Sequence, residues 1–368
     1  MNKKLLYYFW GYLSDKVDKD GNNISSPDGN FSYSIWLIQE FQKRGWDVYC
    51  VHDRDKEIVE HYGRDAFKSF STDKRFNAYN KINFVYDDLP NDVDLVINEW
   101  RFSTKDNGKQ PWNEGYSPDL EYQKALLKKY NGNVPYAIMD LDYKLEDWQI
   151  KDINPTMIID QGMFPKNIGN VSLNCPVDIE ELRQFPMTQI DQKKLMVYVG
   201  NDYNRRDDFD NKFMPMAKHF PGKIHLVGNW LKDSLADYRK MHSNVVFHGR
   251  IGANDFYDTV HDSGCVPLLA TPEYKEHGFM TMRIMETLLF GSIPIGFTDF
   301  ILIEDYLPYE LIATNAKDLK VKIEWILKLS PEEREMLRNK VIAKCGHKFD
   351  ARNFVSKILE ELKNENGF

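Results

Sequence analysis

Gly278-Phe-Met-Thr-Met-Arg-Ile-Met-Glu-Thr-Leu-Leu-Phe-Gly-Ser-Ile-Pro-Ile-Gly296 reads as a loop entering a helix, a glycine stop at Gly291 and a short buried strand. Arg283 and Glu286 stand three apart, so they share one helix face. A glutamate in the first turns of a helix can accept two ribose hydroxyls while the helix N-terminus and a neighbouring arginine meet phosphate. The plain alternative is a solvated i,i+3 ion pair, the commonest fate of such residues. The rest of the chain decides between the two.

At 368 residues the chain is too long for one ordinary core and suits two domains. The run Met1–Trp10 sets two lysines before apolar residues, but Gly11, Ser14 and Asp15 end it too early for a signal peptide or a membrane span. A first buried strand is expected there instead. Cys50, Cys175, Cys265 and Cys345 are scattered with no metal-ligand spacing, and they read as reduced core residues of a cytoplasmic protein. The net charge of −8 argues against non-specific coating of nucleic acid, although residues 192–250 hold eleven Lys/Arg against six Asp/Glu.

Apolar strand-like runs alternate with helix-period stretches. Strands are expected at Lys4–Trp10, Trp46–His52, Ile82–Tyr86, Val93–Glu99, Val134–Asp140 and Pro155–Gln161. A second set runs through Leu195–Asn201, Lys223–Asn229, Val245–Ile251, Cys265–Ala270 and Ser292–Phe297. Helices are expected at Tyr33–Arg44, Glu121–Tyr130, Phe209–Phe220, Asp255–Asp262, Thr281–Phe290 and Leu319–Leu329. Such alternation predicts an α/β protein with parallel sheets covered on both faces. The join falls in Asn174–Lys194, which contains Pro176 and Pro186 and no long apolar run. The expected division is 1–185 and 186–349, with a C-terminal helix at 350–368 returning to complete the first domain.

Val197-Tyr-Val-Gly-Asn-Asp-Tyr-Asn-Arg-Arg206 is a buried strand running into a loop with Gly200, Asn201, Arg205 and Arg206. Loop N–H groups and two guanidinium forks suit a diphosphate, whereas the same residues also make an ordinary solvated turn. Gly228 and Gly249 follow two further strands, and glycine there permits close approach of a ligand to backbone. Pro135-Tyr-Ala-Ile-Met-Asp140-Leu-Asp142 is a strand ending in a carboxylate. Asp140 is a candidate general base if its surroundings bring its pKa toward neutrality. Asp140 and Asp142 also have the form of a paired-carboxylate metal site, and either can serve as a helix cap.

Phe279-Met-Thr281-Met-Arg283-Ile-Met-Glu286-Thr287 resembles the Phe-x-Thr-Leu-Arg-x-x-Glu-Thr motif of GT-B glycosyltransferases, and more closely of the phage enzymes that glucosylate 5-hydroxymethylcytosine in duplex DNA. Gly228-Asn229 and Phe247-x-Gly249-Arg250-Ile251 match in order and spacing. The resemblance runs, with gaps, from about Val134 to Gly296. It implies two facing Rossmann-like domains with a cleft between them. It implies a UDP-sugar donor, UDP-glucose or a UDP-pentose. Glu286 would take the ribose, and Arg283 with Thr281 beside it the phosphates. Arg250 and Ile251 would meet the uracil, and the loop from Gly200 to Arg206 the diphosphate. Asp140 falls at the place of the family's catalytic aspartate, which implies inversion at the anomeric carbon. The family separates its two loop arginines, whereas Arg205 and Arg206 are adjacent here, so one of them is expected to point inward.

The family's sugar-contacting glutamate falls at about Tyr33, which leaves the donor sugar open. The loop Glu99–Trp112 mixes aromatic and basic residues suited to a flipped base, to a saccharide lid or to plain surface. The expected reaction is therefore transfer from a UDP-sugar to a hydroxylated pyrimidine in double-stranded DNA, by a monomer with no membrane attachment. Mg2+ or Mn2+ could stimulate it without being required. The alternatives are a transferase for a surface polysaccharide or protein, and a catalytically inactive nucleotide- or DNA-binding module.

Overall fold

The computed structural model describes residues 2–8, 16–17, 23–25, 31–51, 83–85, 89–100, 118–141, 143, 145–164, 171–202, 204–249, 251 and 259–366. The chain forms two compact units. The first comprises Met1–Asn23, Pro27–Val177 and Ala351–Phe368, and the second Ile24–Ser26 and Asp178–Asp350.

In the first unit seven strands pair in the order β5-β4-β1-β6-β7-β8-β9. They are β1 (Lys4–Tyr8), β4 (Asp47–Val51), β5 (Asn83–Val85), β6 (Leu95–Glu99), β7 (Tyr136–Asp140), β8 (Met157–Gln161) and β9 (Val171–Leu173). Every pairing is parallel. β6, β7 and β8 are buried at every residue, as a parallel sheet covered on both faces requires. One face packs Val96, Trp100, Tyr136 and Ile138 against Leu126 and Tyr130 of the Pro118–Tyr130 helix and Ile153 of the Asp147–Ile153 helix. Each such large side chain contributes about 1.5–3 kcal/mol by leaving water. The last helix, Ala351–Asn366, lies on Phe31–Lys43, where Arg44 Nη2 donates to Arg352 O at 2.7 Å and Ser356 Oγ at 2.9 Å. β2 (Lys16–Val17) and β3 (Asn23–Ser25) form a separate two-stranded ladder.

The second unit carries a six-stranded parallel sheet in the order β12-β11-β10-β13-β14-β15. Its strands are β10 (Met196–Val199), β11 (Ile224–Val227), β12 (Val246–His248), β13 (Cys265–Pro267), β14 (Ile293–Phe297) and β15 (Ile312–Ala313). The expected strands are all present. The sequence reading did not include β2, β3, β9 and β15, each of two or three residues and too short to display a period.

The helix expected at Phe209–Phe220 is instead broken. A turn at Arg206–Asp208 passes into a π-helix at Phe209–Phe213, and Met216–His219 follows Pro215. Proline supplies no N–H and crowds the carbonyl four residues earlier, so the ladder shifts to Met214 N–H donating to Phe209 O at 2.8 Å. The C-terminal tail is two helices. Ser330 caps Pro331–Phe349 through a capping box with Glu333, and Asp350 is extended before Ala351 begins the next. The helix expected at Asp255–Asp262 falls mainly outside the described residues.

Glycine exits dictate how β10 and β11 end. Gly228 adopts φ 142, ψ −147, a region essentially closed to other residues, and an added Cβ would stand 2.6 Å from Gly200 O. Gly228→Ala should therefore cost about 1–3 kcal/mol from backbone strain, with the clash in addition. Chemical denaturation measures this, and an unchanged midpoint would contradict the close approach.

Candidate functional site

In an open parallel sheet a ligand crevice opens at the carboxyl ends of the strands where strand order reverses. In the second sheet that point lies between β10 and β13. Four of the chain's polar groups converge there. Arg205 Nη1 donates to Tyr198 Oη on β10, and the Arg283 guanidinium lies 5.7 Å from the centre of the same ring. Arg283 Nε is 3.7 Å from Glu286 Oε2, both on the Arg283–Leu289 helix that links β13 to β14.

Tyr198 is almost fully buried, edge-on to Phe209 at 5.1 Å. It fits because Gly200, at φ 148, has no Cβ, which would otherwise stand 3.0 Å from the ring. Arg205 Nε is buried and makes no hydrogen bond among the described residues. Val199, Val260, Val266, Arg283, Glu286, Thr287 and Phe290 line a recess of about 10 Å³, room for one water centre. Thr281 is half-buried two residues before that helix.

Glu286 is 6% exposed, and burial raises its carboxyl above the ordinary range, opposed by the Arg283 charge. A raised acid favours its protonated form in the fold. The stability this contributes is fully present below the ordinary pKa of 4.5 and is lost as pH rises through the raised value. A carboxylate kept in such a place costs stability at neutral pH, a pattern typical of functional groups.

Arg206 turns elsewhere. It donates to Asp202 Oδ2 and lies 4.1 Å over the Tyr238 ring, while Tyr238 Oη donates to Asp210 Oδ1 at 2.6 Å. The loop amides are also committed. Gly200 N–H donates to Val227 O, Gly228 N–H to Gly249 O, and Asn229 N–H to Asn201 Oδ1, while Trp230 Nε1 donates to Gly200 O. These bonds hold the strand ends together. Beside them Asn201, Asp202, Asn229, Trp230, Lys232, Ser234 and Leu235 line a cavity of about 190 Å³. Ile251 is half-buried, and Arg250 lies outside the described residues.

In the first unit Asp140 ends β7 and is completely buried. Its Oδ2 accepts the Leu145 N–H at 3.0 Å, which holds the chain as it approaches the Asp147–Ile153 helix. The helix cap is Glu146, not Asp140. Asp142 lies outside the described residues, as do Arg101–Trp112. Tyr33 is buried. The first sheet reverses between β1 and β6. Buried Tyr7 and Ser34 both donate to Glu99 Oε1 there, Ser34 at 3.4 Å, and burial with the Glu99 charge raises the Tyr7 phenol. Among the described residues no group of three or more His, Cys, Asp or Glu could hold a metal ion. All four cysteines are free and buried, and no described helix is long and apolar enough to cross a membrane.

The sequence reading did not include Tyr198 and Trp230 among the site residues. Tyr198 had one signal, an aromatic with a polar tip one residue before the strand's end.

No protein-family model matches the chain, and no curated protein does. Solved structures match in fold. The N-terminal domain of Candida albicans trehalose-6-phosphate phosphatase aligns with TM-score 0.55 and 11% identity, over 100% of this chain and 97% of that one. AviGT4, a glycosyltransferase involved in avilamycin A biosynthesis, gives 0.52 and 11% over 100% and 99%. T4 phage β-glucosyltransferase with its UDP-glucose substrate gives 0.50 and 12% over 100% of both. At these identities the likeness is one of architecture, and the chain has the two-domain α/β fold of GT-B glycosyltransferases.

Glu286→Gln, neutral at every pH, should melt no lower than the unaltered protein at pH 7.5 and should lose the fall in stability above pH 4.5 that Glu286 causes. Thermal melts across pH check this. A lower Tm for the variant at pH 7.5 would contradict the raised carboxyl.

Proposed function

We propose that the chain transfers a sugar from a UDP-sugar to a hydroxyl group. The observation that carries this reading is the convergence of Arg205 and Arg283 on Tyr198, beside the buried acid Glu286, where the second sheet reverses. An incoming diphosphate replaces Tyr198 Oη as the acceptor for Arg205 and engages Arg283, and Glu286 accepts the ribose hydroxyls. The small recess opens as those side chains exchange partners. Thr281 joins the phosphate contacts. Gly200, Asn201 and Gly228 shape the walls, and Ile251 with Arg250 meets the base. Arg206, held by Asp202, supports the loop. UDP-glucose or a UDP-pentose is the donor. Mg2+ or Mn2+ stimulates without being required, because guanidinium groups already balance the diphosphate.

In the reaction the bond from the anomeric carbon to the β-phosphate oxygen breaks as the acceptor oxygen bonds to that carbon from the opposite face. UDP leaves with the electron pair, and Asp140 takes the acceptor proton, giving inversion. Asp140 is completely buried, so base action requires its carboxylate to become accessible to the acceptor. The nucleotide residues belong to the second unit, and acceptor binding is assigned to the first.

The acceptor is a hydroxylated pyrimidine in phage DNA, 5-hydroxymethylcytosine or a relative, and the protein acts as a monomer in the host cytoplasm. The Phe279–Thr287 motif supports this acceptor. The net charge of −8 favours a second reading, a transferase for a surface polysaccharide or protein. Incubation with a panel of UDP-sugars and either hydroxymethylated duplex DNA or oligosaccharides, followed by mass spectrometry, separates the two. DNA glycosylation is expected, with DNA affinity falling steeply as salt rises. Glycosylation of oligosaccharide alone overturns the DNA acceptor, and no turnover with any acceptor points to an inactive binding module.

Asp140→Asn should lower turnover by ~10²-fold or more while leaving UDP affinity and Tm nearly intact. Retained turnover removes Asp140 from the chemistry. A large fall in Tm assigns it to holding the loop.

A further inference from the structure

Lys212 and Lys275 each bind both Asp208 and Asp299, forming a closed ring of alternating charges. Lys212 Nζ is 2.7 Å from Asp208 Oδ1 and 2.6 Å from Asp299 Oδ2, and Lys275 Nζ is 2.8 and 2.7 Å from the same atoms. Three members are largely buried, with side-chain exposures of 13% for Lys212, 16% for Lys275 and 9% for Asp208, whereas Asp299 is 46% exposed. Lys212 also lies 4.5 Å over the Phe297 ring. The ring holds the Lys275 ammonium above its ordinary pKa against the opposing effect of burial, and holds the Asp299 carboxyl below its own.

The ring joins the three segments that leave the carboxyl ends of β10, β13 and β14. Asp208 and Lys212 belong to the turn and π-helix after β10, Lys275 to the Pro272–Glu276 helix after β13, and Asp299 follows β14. Two of those segments carry the converging arginines. Arg205 O accepts the Phe209 N–H at 3.1 Å, so Arg205 is tied into the first segment. Lys275 O accepts the Gly278 N–H at 3.3 Å and the Ile301 N–H at 3.2 Å, fixing the chain that leads to Arg283. None of the four charged groups lines the recess.

We propose that the Asp208–Lys212–Lys275–Asp299 ring is a positioning device that sets the spacing of Arg205 and Arg283, and thereby the protein's selectivity for a diphosphate over the bare nucleoside. This rests on the nucleotide reading of the site. Lys275→Met leaves two carboxylates facing one ammonium, with Asp208 buried and its Oδ2 already without a hydrogen bond. The Asp208 segment then moves, and Arg205 moves with it. Displacements of about 1 Å in such a clamp can cost on the order of 10²-fold.

The test compares UDP with uridine, binding to the full chain by calorimetry for UDP and by ligand-observed NMR for uridine. Lys275→Met should weaken UDP by about tenfold or more and uridine by less than about threefold, and Lys275→Arg should restore most of the UDP affinity. Asp299→Asn, at the most exposed member, should shift UDP in the same direction by less, and it carries the test if Lys275→Met does not fold. A merely structural ring would weaken both ligands equally. Equal losses, or unchanged UDP binding in both variants, overturn the proposal while leaving the nucleotide site standing. Failure of the unaltered chain to bind UDP overturns the nucleotide reading, and this inference falls with it.

Discussion

Two guanidinium groups, Arg205 and Arg283, are held against one tyrosine with one buried acid beside them, and the rest of the second unit is arranged around that concentration of charge. Like charges brought together in a partly desolvated place repel, and burial weakens the screening that water would provide. The arrangement persists because Tyr198 offers its hydroxyl to one and its ring face to the other, and Glu286 supplies the opposite sign. An anion with several oxygens would satisfy both arginines better than a phenol can. That mismatch is the physical basis of the diphosphate site proposed above.

The geometry also explains the expense of Gly200 and Gly228. Gly200 clears the ring of Tyr198, and Gly228 lets two loops touch backbone to backbone. The loop amides make their hydrogen bonds to neighbouring strand ends and to Asn201, so the loop forms a braced wall beside the side-chain cations. Strained backbone and a raised carboxyl in one small region both cost stability, and they occur together where function offsets the cost.

Much of the fold was legible because parallel strands buried on both faces are short apolar runs bounded by glycine, as in Met196–Val199 before Gly200 and Ile293–Phe297 after Gly291. Arg283 and Glu286 were legible because their spacing on one helix is a local property. The partner of Arg283 across the sheet was not, since it meets Tyr198 only because β13 lies beside β10, and local pattern carries no strand order. The same applies to Lys275 and Asp208, which are distant in sequence and adjacent in space. The break around the π-helix goes with Pro215, which a helix period over Phe209–Phe220 does not register. Asp140 illustrates a different limit. A carboxylate at a strand end has one appearance in sequence whether it faces a substrate or braces a loop, and neither its full burial nor its bond to the Leu145 N–H is a local property of the sequence.

The most direct measurement is a crystal structure of the protein soaked with UDP. Diphosphate oxygens within hydrogen-bonding distance of Arg205 and Arg283, with the ribose on the Glu286 carboxylate and Tyr198 Oη released, is the predicted result. UDP bound away from these residues, with Arg205 still on Tyr198, would contradict it.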